Sequence, residues 1–99
     1  MAKYTATKQQ IEDWKQKHGE IFQYEAEDKT CYLRKPPRKV LSAAATMGQN
    51  DPLKYNEILL NGCWLGGDEE IKTDDGLFLG VSGKMAQLVE VKEGELKKL

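Results

Sequence analysis

The stretch Asn50–Asp75 constrains the fold most, because it holds two helix starts, two chain breaks and a tryptophan in one short run. Asn50 and Asp51 are good N-caps, and Pro52 suits a first helical position. Tyr55, Ile58 and Leu59 then share one helical face, with Leu53 one turn earlier. Asn61-Gly62 predicts the helix end, since both residues tolerate the left-handed conformation of a C-cap. Cys63-Trp64-Leu65 is a short apolar block, Gly66-Gly67 a chain turn, and Asp68-Glu69-Glu70 a solvated acidic loop. Thr73-Asp74-Asp75 opens a last helix with a capping oxygen and negative charge near its N-terminus. Trp64 is the expected anchor between the helices on either side. Whether its ring is core or a partner contact stays open at this level.

The chain has 99 residues, the length of one domain spanning 1–99. Such a chain buries roughly 60–65% of its unfolded surface, enough for one core without a disulfide or metal. Net charge is -1 but unevenly spread. Residues 1–54 carry 10 Lys/Arg against 7 Asp/Glu, whereas residues 55–99 carry 5 against 9. This mild dipole is far from the basic balance of an obligate nucleic-acid binder. It is compatible with orienting a partner or a second copy of the chain. No apolar run reaches the ~18 residues of a membrane span. The first ten residues, MAKYTATKQQ, lack the apolar core of a signal peptide. A cytoplasmic location with reduced Cys31 and Cys63 is therefore expected.

Along the chain, Thr7 and Gln10 form a capping box for a helix over Lys8–His18. Ile11, Trp14 and His18 are its inward stripe, and Gly19 is its C-cap. Residues 20–27 alternate, with Phe22, Tyr24 and Ala26 on one face, which predicts a strand. A turn at Asp28-Lys29 leads to a second strand, Thr30–Arg34, with Ala26 opposite Cys31 and Tyr24 opposite Leu33. A lone hairpin is marginal in water, so it must pack on helices. Pro36 stands outside the next helix and Pro37 starts it. That helix runs to Met47 with Val40, Leu41, Ala44 and Met47 inward and Gly48 as cap. In the final segment Leu77, Val81, Met85 and Leu88 follow helical spacing, continued by Leu96 and Leu99. Val89 and Val91 leave a short strand near 87–92 as the other reading. Gly76, Gly80 and Gly83 share a face of this helix, at roughly 1 kcal/mol each against Ala. The predicted fold is α+β: an N-terminal helix and two-stranded antiparallel hairpin packed on a helical part of about three helices. Its predicted core is Ile11, Trp14, Phe22, Tyr24, Leu33, Val40, Leu41, Ala44, Tyr55, Ile58, Leu59, Trp64, Val81, Met85 and Leu88.

Reaction chemistry finds no foothold in these residues. Structural zinc sites pair their ligands at close spacing, whereas Cys31, Cys63 and the single His18 are scattered. No Gly-x-Ser-x-Gly elbow or phosphate loop occurs, and the carboxylates do not match an EF-hand. No catalytic residue, metal site or cofactor is therefore assigned. The best candidate surface is the basic ridge Arg34, Lys35, Arg38 and Lys39, held in fixed geometry by Pro36-Pro37. Four charges without interleaved aromatics make a weak nucleic-acid signal. A small nucleic-acid-binding or regulatory protein using this ridge is the alternative reading.

Several of these segments fall in a suggestive order: Leu33-Arg34-Lys35-Pro36, Asp51-Pro52, Leu59-Leu60, Cys63-Trp64, Gly67-Asp68 and a Leu/Lys-rich end. Over roughly residues 10–99 the chain resembles small phage tail assembly chaperones. The resemblance implies a non-enzymatic protein in the cytoplasm of a bacterial host. It implies binding to phage tail proteins, chiefly the tape measure protein and also the tube protein. A chaperone of that kind needs an exposed apolar groove for client segments. From residue character, the candidate contacts are Arg34, Lys35, Arg38, Lys39, Trp64, Leu65, Gly76, Gly80 and Gly83.

Overall fold

The computed structural model describes residues 5–99. Its elements run α1 (Lys8–His18), β1 (Ile21–Ala26), β2 (Lys29–Arg34), α2 (Arg38–Met47), α3 (Pro52–Cys63), β3 (Trp64–Gly67), α4 (Glu70–Thr73), α5 (Asp75–Ser82) and a 3-10 turn, Met85–Leu88. The fold is α+β, with a three-stranded antiparallel sheet in the order β1-β2-β3.

Local chemistry accounts for the helix starts. The Thr7 hydroxyl accepts the Gln10 N–H at 3.1 Å, and the Gln10 side chain accepts the Thr7 N–H at 2.9 Å. This capping box satisfies two of the free donors at the start of α1. Asp51 accepts the Lys54 N–H and Pro52 takes the first position of α3. Asp74 accepts the Leu77 N–H at 3.0 Å and so starts α5.

The hairpin forms in a different register from the one predicted. Its two-residue turn is Glu27-Asp28, not Asp28-Lys29. Tyr24 pairs with Cys31, Phe22 with Leu33 and Ala26 with Lys29. The shift is two residues, so each side chain keeps its expected face. Glu27 takes the left-handed backbone the turn requires, at φ 55°. Lys29 is thereby released into β2, where its ammonium lies 3.7 Å from Glu70.

β2 is the central strand and is buried on both faces. On one face Cys31 and Leu33 join the core with Ala44, Leu59, Leu60, Cys63, Ile71, Val81, Met85 and Leu88. On the other, Tyr32 is buried beneath α1. Its ring lies 5.5 Å from that of Trp14, and its hydroxyl accepts the Ala6 N–H at 3.3 Å. Trp14 therefore packs on this second face, and neither it nor Ile11 joins the main cluster.

Four further expectations are corrected. α3 does not stop at Asn61-Gly62 but continues to Cys63. Gly62 instead lies at the crossing with α2, where a Cβ would stand 2.4 Å from Val40 Cγ1. Residues 64–67 form a strand in place of the predicted apolar block and turn. The last helix ends at Ser82; after the 3-10 turn, residues 89–99 have no regular structure, so neither the long helix nor the strand near 87–92 is present. Met47, expected to face inward, is 63% exposed.

Candidate binding surface

The basic ridge divides at the end of β2. Arg34 is half-buried, and its guanidinium donates twice to the Gly62 carbonyl, from Nε at 3.2 Å and Nη2 at 3.1 Å. Its Nη1 lies 3.2 Å from His18 Nδ1. An arginine can only donate, so Nδ1 must accept and the ring is neutral there. Burial, then the charges of Arg34 and Lys17, hold the His18 pKa below its ordinary 6.5. Arg34 thus ties the end of α1 to the end of α3. Lys35 is also engaged, 2.6 Å from Glu90 and 3.5 Å from Glu20. The hydrogen bond that Lys35 donates to Glu90 is the main reason its pKa is raised. Arg38 and Lys39 are exposed at the start of α2, which has no side-chain cap.

Trp64 and Leu65 lie on β3, at one edge of the sheet. Trp64 pairs with Leu33, while Leu65 is the extra residue where the register slips between Tyr32 and Leu33. The indole is half-buried. It packs against the core, and the Lys72 ammonium sits 4.4 Å from its ring centre. A cation so placed is attracted to the ring by about 0.5–1 kcal/mol at a partly exposed site. Trp64 thus packs on the core while leaving part of its ring accessible.

Gly76, Gly80 and Gly83 are all exposed along α5 and its end. Only Gly80 approaches another element closely, since a Cβ there would meet the Tyr24 hydroxyl at 3.0 Å. Gly76 and Gly80 line a groove of about 480 Å3 between the hairpin and α5, with Tyr24, Ala26, Leu77 and Asp74. A second groove of about 490 Å3 runs between α2 and α3, lined by Lys39, Val40, Ala43 and Ile58. A third, of about 350 Å3, lies against β1. Phe22, Tyr24, Val81, Met85 and Leu88 supply its apolar lining, beside polar Gln23, Glu25, Lys84 and Gln87. The predicted contact residues thus fall in separate places: Lys39 in the α2–α3 groove, Gly76 and Gly80 in the α5 groove, and Trp64 and Leu65 at the β3 edge.

Sequence reasoning did not single out the β1 groove. The alternation of Phe22 and Tyr24 with Gln23 and Glu25 is its signal in the sequence, but its far wall comes from the end of α5 and a 3-10 turn that helical spacing does not predict.

Among the described residues, no cluster of three His, Cys, Asp or Glu side chains could hold a metal ion. Burial pushes the Cys31 thiol up to about 12 and the Cys63 thiol up to about 11, so both stay protonated. Among the described residues, no helix is long and apolar enough to cross a membrane. Comparison with protein families, with curated proteins and with solved structures found no significant match.

Proposed function

We propose that this protein is a non-enzymatic assembly factor that binds segments of other proteins, as the phage tail assembly chaperones it resembles do. The expected clients are the tape measure protein and the tube protein of a phage or prophage, met in the cytoplasm of the bacterial host. One observation carries the reading beyond the resemblance. Residues 89–99 have no regular structure and present Val91, Leu96 and Leu99 at 72% exposure or more. Apolar side chains on an unstructured charged segment suit folding against a partner, which supplies the burial the chain itself withholds.

The test is a tagged pull-down from cells that co-express the genes neighbouring this one, read by mass spectrometry. Recovery of a tape measure or tube protein is expected, with loss of that recovery in Leu96→Glu/Val91→Glu. Background proteins alone would overturn it. The nucleic-acid reading has less to draw on, because Arg34 and Lys35 are already held by groups of the same chain. It would return if salt-sensitive binding to duplex or single-stranded DNA were lost on Arg38→Ala/Lys39→Ala.

A further inference from the structure

The two edges of the sheet are built differently. β3 is four residues long, ends in Gly66-Gly67 and slips register, all of which discourage a further strand. β1 is six residues of IFQYEA, with no proline, glycine, lysine or bulge, and among the described residues no strand lies on its outer side. The two-residue turn makes Ala26 and Lys29 the closing hydrogen-bonded pair. By the alternation of antiparallel ladders, Phe22 and Tyr24 bond to β2, and the backbone groups of Ile21, Gln23 and Glu25 point outward. The apolar groove beside β1 runs along this same edge, lined by Phe22 and Tyr24 from one face and Gln23 and Glu25 from the other.

Charge along the edge is asymmetric. The turn end carries Glu25, Glu27 and Asp28. The other end joins the last turn of α1, whose charged residues are Lys15 and Lys17 beside His18. Glu20 also lies there, within 3.5 Å of Lys35. A parallel neighbour of the same kind would set acidic turn against acidic turn. An antiparallel one sets each acidic turn against the basic end of α1.

We propose that β1 pairs antiparallel with β1 of a second copy, centred on Gln23, to form a symmetric dimer with one continuous six-stranded sheet. In this register Gln23 faces Gln23, Ile21 faces Glu25, and Phe22 faces Tyr24. Residues with outward backbone groups meet one another and form about six ladder hydrogen bonds. No glutamate faces a glutamate. The Phe22–Tyr24 pairs stack on the groove face, where cross-strand aromatics add stability. Glu27 comes opposite Gly19, and Asp28 opposite His18, which brings the turn beside Lys17.

Sedimentation velocity from about 1 µM to 1 mM tests this. The mass is expected to rise with concentration from 11.2 kDa toward twice that value. Gln23→Lys sets two ammonium groups across the axis and should raise the dissociation constant by about tenfold or more. Gln23→Pro removes the central outward N–H, which an edge strand tolerates, and should give a monomer with unchanged circular dichroism. If that variant fails to fold, Gln23→Lys decides alone. A mass of 11.2 kDa at every concentration overturns the proposal, as does a dimer that Gln23→Lys leaves intact. A wild-type monomer whose β1 amides gain exchange protection only with a different protein assigns the edge to that protein and also overturns it.

Discussion

Arg34 shows how position redefines a residue. Read as one of four cations on a ridge, it faces solvent. In the fold it closes a contact between three elements, bonding the carbonyl of Gly62 and the neutral ring of His18. Protonating His18 would put an N–H against the guanidinium N–H groups. The folded pKa of His18 is therefore lowered, by burial first and by Arg34 and Lys17 next. The sign follows from linkage: the unfolded chain binds this proton more readily, so stability is complete above about pH 6.5 and falls as pH drops through the folded pKa. Thermal midpoints measured from pH 8 to pH 5 should decline, and His18→Gln should flatten that part of the decline. An unchanged slope in the variant would assign the acid sensitivity to other groups.

The elements that sequence reading missed are those made by neighbours. Trp64–Gly67 has no strand periodicity of its own, yet it pairs with Cys31, Tyr32 and Leu33 of β2. Gly67 makes the pairing sterically permissible. Its φ is 144°, and a Cβ there would lie 2.5 Å from Cys31 Cα and from the Thr30 carbonyl oxygen. Next to it, the Asp68 N–H donates to that same carbonyl at 2.9 Å, and the Asp68 carboxylate accepts the Thr30 N–H at 2.9 Å. Gly67→Ala should therefore cost about 2–4 kcal/mol from backbone strain and overpacking together. Urea unfolding of wild type and variant measures it; a loss below about 0.5 kcal/mol, the range of indifferent surface changes, would mean β3 can shift away from β2 at little cost. The final segment failed for the opposite reason. Its apolar spacing is helical through Leu88, but α5 stops at Ser82 with Gly83 as its C-cap, a 3-10 turn is enough to bury Met85 and Leu88, and no residue beyond them joins the core.

At the scale of the whole molecule, the core is one cluster drawn from β2, α2, α3, α4, α5 and the 3-10 turn. Cys31 and Cys63 are both fully buried within it. Their thiols are held at about 12 and about 11, well above the pH at which thiolate forms in solution. Alkylation with iodoacetamide at pH 8 should leave both unlabelled in the native protein and modify both in denaturant. Rapid labelling of the native chain would show that the core opens far more often than this packing allows.

What the sequence by itself determined is what short-range physics decides. The capping box of Thr7 and Gln10 set the start of α1 and Gly19 its end, Asp51-Pro52 set the start of α3, and the alternation of Phe22, Tyr24, Cys31 and Leu33 set which face of the hairpin is apolar. Each of these rests on contacts within a few residues, so each is written in the local order of side chains. Of the candidate contacts, the sequence showed which residues are basic, apolar or glycine, but not which stand together. The tertiary structure alone decided that Arg34 and Lys35 spend their charges within the chain, that Trp64 is half-covered on an edge strand, and that among the described residues β1 is an edge strand beside a groove. Those outcomes depend on elements tens of residues apart coming into contact, and no local pattern encodes what will lie on the other side of a strand.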